Sequence, residues 1–175
     1  MGDGEYWESE YWKMTAQQDL PYLPTPHEVI EKLFLFLSQE NLIRKGQKLV
    51  DLGAGDGRVI IHAAEKYEID ATGTEINREL IDTTNNQIRE KRLEKNCRIL
   101  EWDLYDYDVS PFDIIFLFIL PSSHKFLKHV ISQIKAGALV ISIRWPFDTF
   151  QEELKLEKNI SVLEQYSFFI YRKKN

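Results

Sequence analysis

The chain has 175 residues, 43% of them hydrophobic and 29% charged, with a formal net charge of −6, which fits one soluble domain with a full core. No apolar stretch approaches the roughly 18 residues of a membrane span, and a single cysteine, Cys97, excludes an internal disulfide and a cysteine-based zinc site. The acidic balance disfavours a nucleic-acid backbone as partner and favours a basic one.

Residues 1–20 hold five acids against the single Lys13, interleaved with Tyr6, Trp7, Tyr11 and Trp12. They read as an acidic, aromatic arm, packed on the domain or lying over a site, with residues 21–175 forming the single domain that follows. The acidic start does not suit a secretory signal, and Tyr6 occupies the place where a myristoylation motif wants Ser or Thr. A cytoplasmic protein is the expectation.

In chain order, "PYLPTPHEV" opens a helix. Thr25, Pro26 and Glu28 are expected as N-cap, N1 and N3 of a capping box, and Val29, Ile30, Leu33, Phe34 and Leu37 form its apolar face. "KLVDL" reads as a strand, "GRVIIHAAEKY" as a helix and "DATGTEI" as a second strand. "NRELIDTTNNQIREKRLEKN" reads as a long polar helix capped by Asn77, and "CRILEWD" as a third strand. "FDIIFLFIL" is unbroken apolar sequence, as expected of a central strand covered on both faces. "SSHKFLKHVISQIK" reads as a helix with Phe126, Leu127, Val130, Ile131 and Ile134 inward. "GALVISIRW" is a fifth strand, and the tail closes the sheet with a hairpin. Alternating strands and helices imply βαβ units and a mostly parallel α/β sheet. Ligands of such sheets bind beyond the carboxyl ends of the strands. The turns to read therefore follow Leu52, Glu75, Trp102, Ile119 and Arg144.

The first turn, Asp51-Leu52-Gly53-Ala54-Gly55-Asp56-Gly57-Arg58, has glycines that free the backbone and admit a ligand closely. Its spacing is G-x-G-x-G, and Arg58 stands where the dinucleotide fingerprint wants its last glycine. Asp51 and Asp56 would repel a pyrophosphate and attract a cation. Charge therefore favours S-adenosylmethionine, with its sulfonium and amino group, over a dinucleotide. Glu75 lies 18 residues after Gly57, where an acid at the next strand end can accept both ribose hydroxyls. Asp103 could accept from an adenine amino group, with Trp102 or Leu104 against the ring.

These stretches, "VDLGAGDGR", "TGTEIN" and "EWDL", resemble the glycine motif, acidic loop and adenine loop of Rossmann-like class I (seven-strand) methyltransferases. With "PYLPTPHEVIEKLF" ahead of them, the sequence over roughly residues 20–172 is similar to the small archaeal broad-specificity protein lysine methyltransferases and their mitochondrial relatives. The resemblance implies a seven-stranded sheet of order 3-2-1-4-5-7-6 with helices on both faces, and S-adenosyl-L-methionine as cofactor. The expected cofactor residues are Tyr22, Pro24, Thr25, Asp51, Gly53, Ala54, Gly55, Asp56, Gly57, Glu75, Ile76, Trp102, Asp103, Leu104 and Phe118. Pro121-Ser122-Ser123 departs from the Thr-Asn type segment of the family, which leaves the substrate open.

A sulfonium methyl is already activated, so the protein mainly positions the acceptor and removes water. A lysine amine must first lose its proton, and an apolar channel lowers its pKa by desolvation. Phe118, Leu120, Pro121 and Trp145 are candidate walls, with Ile119 and Phe147 beside them. No general base or metal cluster is evident, and His27, His62, His124 and His129 read as surface or supporting residues. The expected activity is protein lysine N-methylation of a basic or lysine-bearing protein. The alternatives are transfer to a small molecule or RNA, and a non-catalytic module that only binds the cofactor.

Overall fold

The computed structural model describes residues 24–163 and 165–175. The expectations for the arm and for Tyr22 lie outside them. Seven strands form one sheet: β1 (Lys48–Leu52), β2 (Asp70–Glu75), β3 (Cys97–Glu101), β4 (Ile114–Leu117), β5 (Leu139–Ile143), β6 (Leu154–Leu163) and β7 (Tyr166–Lys173). Their order is β3-β2-β1-β4-β5-β7-β6. The first five are parallel, and β7 is antiparallel to both β5 and β6.

Side chains alternate between two cores. Leu49, Ile114, Phe116, Leu139 and Ile141 face one, while Val50, Ile115, Leu117 and Val140 face the other, the period of two that pleating dictates. The first core is covered by α1 (His27–Gln39), α2 (Arg58–Tyr67) and α3 (Arg78–Glu90), the second by α4 (Lys128–Gln133) and the loops around it. Helix α1 buries Val29, Ile30, Leu33, Phe34 and Leu37, the face its spacing predicts. Cys97 is buried in the first core, and burial pushes its thiol up to about 12. Among the described residues no helix is long and apolar enough to cross a membrane.

Four local expectations are corrected. The N-cap of α1 is Pro26, with no side-chain cap bond, so no capping box forms. Thr25 lies one residue too early and is buried. Helix α3 does start on Asn77, whose side chain accepts from the N–H groups of Glu79 and Leu80, but it stops at Glu90. Beyond it Arg92 turns left-handed at φ 58°, and the Asn96 amide donates to the Ala64 and Ile69 carbonyls, which turns the chain back into β3. The apolar run around β4 contains only four strand residues. Leu117 pairs with the last residue of β1, Leu52, and with Ser142, one residue before the end of β5, so residues 118–120 run past the end of β1, and residues 119–120 past β5 as well, and leave the sheet. The segment after them is a 3-10 helix, Pro121–Leu127, before α4 begins. Its Leu127, Val130, Ile131 and Ile134 are buried and Phe126 is partly so.

Gly57, the residue before α2, has φ 74°. A Cβ there would stand 2.2 Å from Thr84 Cγ2 of α3. Its bareness lets two helices meet. Gly57→Ala is expected to cost about 2–4 kcal/mol through strain and overlap, read as a fall in Tm. Thr84→Ala removes the overlapping methyl and should recover part of that loss. Equal Tm values for wild type and Gly57→Ala would contradict this packing.

Candidate cofactor and acceptor site

The carboxyl ends of β1, β2, β3, β4 and β5 surround one cavity of about 300 Å³. The turn after β1 is fastened to β2: the Gly53 and Ala54 N–H groups both donate to the Thr74 carbonyl, at 3.0 and 2.8 Å. Gly53 has φ 79°, a conformation that suits glycine. Glu75 then clamps the turn. One carboxylate oxygen accepts from Gly55 N–H at 2.9 Å, and the other from the Ile76 and Asn77 N–H groups, both at 2.9 Å. Glu75 is thus a structural tie as well as an open acceptor, because a carboxylate offers about four lone-pair sites.

The two aspartates of the turn behave differently from the simple charge reading. Asp56 is gripped by Arg58 in a fork, Oδ1 with Nε at 2.8 Å and Oδ2 with Nη2 at 2.5 Å. The pair is internally neutral. Arg58 Nη1 also donates to the Thr25 carbonyl at 2.8 Å, which holds the lead-in to α1 against the turn. Asp51 is 5% exposed. Burial, aided by the charges of Glu75 and Asp56, pushes its carboxyl up to about 8. Asp56 is thus paired with Arg58, while burial favours the protonated form of Asp51.

The predicted cofactor residues Pro24, Thr25, Asp51, Gly53, Ala54, Gly55, Asp56, Glu75, Ile76, Trp102, Asp103, Leu104 and Phe118 all line the cavity, as do Leu120 and Trp145 from the predicted acceptor wall. Gly57 and Pro121 do not. Gly57 faces Thr84, and Pro121 opens the 3-10 helix on the exposed surface. Ile76 and Trp102 are half exposed at the rim, and the Trp102 ring meets Tyr107 edge-on at 6.0 Å. Asp103 Oδ1 accepts from Tyr105 N–H at 3.0 Å, an Asx-type turn that shapes the third loop. Sequence reasoning missed Thr74, Leu80, Tyr105 and Phe116 as lining residues. Leu80 follows Glu75 by five residues, so the first turn of α3 held a usable signal.

The far half of the cavity is apolar. Phe118 stacks on Trp145 with centroids 5.6 Å apart and planes at 24°. Trp145 is held by its backbone, with its N–H donating to the Ile143 carbonyl at 2.9 Å and its own carbonyl accepting from Ser142 Oγ at 2.6 Å. The first of these bonds spans only two residues and puts Arg144 at φ 70°, a γ-type turn that a non-glycine residue adopts at a cost of about 1–3 kcal/mol. His124 is buried, with Nε2 3.1 Å from the Ile119 carbonyl and its ring edge-on to Phe147 at 4.8 Å. Burial holds its pKa below the usual histidine value. It supports the acceptor wall from behind. His62 is packed between Phe34 and Tyr67, and His27 and His129 are exposed.

A family model described as the ANTKMT methyltransferase domain matches residues 51–154. A protein-lysine N-methyltransferase of Saccharolobus islandicus (strain REY15A) is 30% identical over 133 residues, covering 74% of this chain and 79% of that protein. A lysine N-methyltransferase of Caenorhabditis elegans, named for an ATP synthase subunit, is 27% identical over 144 residues, 81% of this chain and 74% of that protein. Among solved structures, an RNA methyltransferase from Salinibacter ruber in complex with S-adenosyl-L-homocysteine superposes with a TM-score of 0.77 at 23% identity, covering 87% of this chain and 94% of that one.

Proposed function

This chain belongs to the ANTKMT methyltransferase domain family, and from that premise we propose that it transfers methyl groups from S-adenosyl-L-methionine to lysine side chains of protein substrates. The observation that carries the reading is the division of one cavity into a glycine-loop half clamped by Glu75 and an apolar half walled by Phe118, Leu120 and Trp145.

The cofactor fits the first half. Bare backbone at Gly53 and Gly55 suits the amino acid moiety, Glu75 keeps lone pairs for ribose hydroxyls, and Trp102, Asp103 and Leu104 suit an adenine. Pro24 and Thr25 border the same end, and the reading adds Tyr22 to the cofactor residues. When bound, the cofactor would supply an electrophilic methyl on positive sulfur, to which an amine lone pair would form an N–C bond as the C–S bond breaks and the sulfur departs as a neutral thioether. The protein's share is to aim the amine and keep water away. An unperturbed lysine amine has a pKa of about 10.4, and the apolar half lowers it by desolvating the ammonium.

The reading divides the chain into an arm over residues 1–20 and one catalytic domain over 21–175. It takes a basic protein segment as substrate, in keeping with the net charge of −6. A cytoplasmic setting belongs to the same reading. Tritiated cofactor added with the protein to a whole-cell lysate is expected to label protein bands, with label recovered in methylated lysine after hydrolysis. Label confined to RNA or to organic extract would assign the fold to another acceptor. Tight cofactor binding with no transfer at all would make it a binding module.

A further inference from the structure

We propose that Arg144 makes the acceptor half of the cavity select a neutral amine and reject an ammonium, an inference that rests on the lysine-transferase reading. The observation is a juxtaposition. The Arg144 Cζ lies 5.1 Å from the centroid of the Trp145 ring, the same ring that stacks on Phe118 and lines the cavity. The turn that puts Arg144 at φ 70° also fastens Trp145 N–H to the Ile143 carbonyl, and Arg144 N–H donates to the Ser167 carbonyl of β7 at 2.7 Å. A backbone conformation unusual for arginine thus fastens the Trp145 backbone and directs the Arg144 side chain to the same ring.

An aromatic face is the natural dock for a lysine ammonium. Here a guanidinium, exposed to solvent, already sits over the ring that lines the cavity. A second cation brought to the same ring meets like-charge repulsion, which disfavours the protonated amine. The neutral amine, the form that can attack, meets none. The product nitrogen becomes a cation as its N–C bond forms, so the same charge favours its departure until it sheds a proton to water.

Other titratable and charged groups lie at or near the cavity. Asp51, Asp56 with Arg58, Glu75 and Asp103 come from the first three turns, Tyr105 from the third loop, and His124 lies behind Ile119 with Asp148 in electrostatic reach. They are common to every variant of position 144, so a comparison at saturating cofactor isolates the guanidinium.

The test is the single-turnover methyl-transfer rate from pH 6.5 to 10.5 at saturating cofactor and acceptor. The acceptor is a Gly-Lys-Gly-Lys-Gly peptide, or total lysate protein if the peptide is silent. Arg144→Gly suits the left-handed backbone and keeps the turn, while Arg144→Lys keeps the charge. In Arg144→Gly the acid limb, which reports the bound amine, is expected to move up by roughly half a unit to one unit. That shift corresponds to about a 3- to 10-fold loss near pH 7.5 with no loss at pH 10.5. Arg144→Lys should stay close to wild type. Superimposed profiles for wild type and Arg144→Gly, or an equal loss at every pH, would overturn the role of Arg144 while leaving lysine transfer intact. A wild-type protein that labels no protein lysine at any pH would overturn the lysine-transferase reading and this inference with it.

Discussion

Replacing Glu75 with alanine is expected to weaken cofactor binding by at least about 100-fold, near 3 kcal/mol, because one side chain serves two ends of the site. Its carboxylate holds Gly55, Ile76 and Asn77 by their N–H groups and still faces the cavity. Alanine leaves three donors without their acceptor and removes the ribose partner. Glutamine keeps one oxygen acceptor but turns an NH₂ toward backbone N–H groups, so an intermediate loss of roughly 10-fold is expected. Calorimetric titration with S-adenosyl-L-methionine measures both, and thermal melts show whether the turn has also loosened. Unchanged affinity in Glu75→Ala would remove the cofactor assignment from this end of the cavity.

The second large effect is on pH. Asp51 in the cofactor-free protein titrates at about 8, against a usual value of 3.8. A bound cation stabilises the carboxylate, so binding at pH 7 releases a proton. Affinity should therefore weaken as pH falls below 8, by at most about tenfold per unit. Asp51→Asn should flatten that dependence. The sign for stability follows from the same shift. Between 3.8 and 8 the folded state binds the extra proton, so the contribution of Asp51 is fully present below 3.8 and is lost as pH rises toward 8. Asp51→Asn should then stabilise the cofactor-free protein more at pH 8 than at pH 5, by roughly 4 kcal/mol, read as a larger rise in Tm at the higher pH. Cofactor titrations in buffers of different ionisation enthalpy count the released protons. A proton count of zero, with the same slope in Asp51→Asn, would show that Asp51 stays protonated throughout.

Much of this was legible in the residues. Apolar runs marked the strands because the parallel sheet is covered on both faces, and that located the turns in which function could sit. Glu75 was readable because its distance from the glycine turn is set by one βαβ repeat. What escaped depends on depth and on chain neighbours distant in sequence. The raised pKa of Asp51 comes first from burial, which residue type does not reveal. The grip of Arg58 joins Asp56 to the Thr25 carbonyl, 33 positions away, so Arg58 looked only like a missing glycine. Residues 118–120 are as apolar as β4 itself, and only the lengths of β1 and β5 decide that they become a wall. Position 144 carries no turn signal, because the residue held left-handed there is an arginine.

The two halves of the cavity are also completed at different points of synthesis. The cofactor turns are all drawn from residues 24–104, whereas the acceptor wall leans on the last strand: Arg144 N–H on the Ser167 carbonyl, and Phe147 N–H on Tyr171 Oη at 2.8 Å. A nascent chain therefore exposes its donor loops well before it has anything to brace Trp145. The acceptor wall has its full bracing only when β7 lies between β5 and β6.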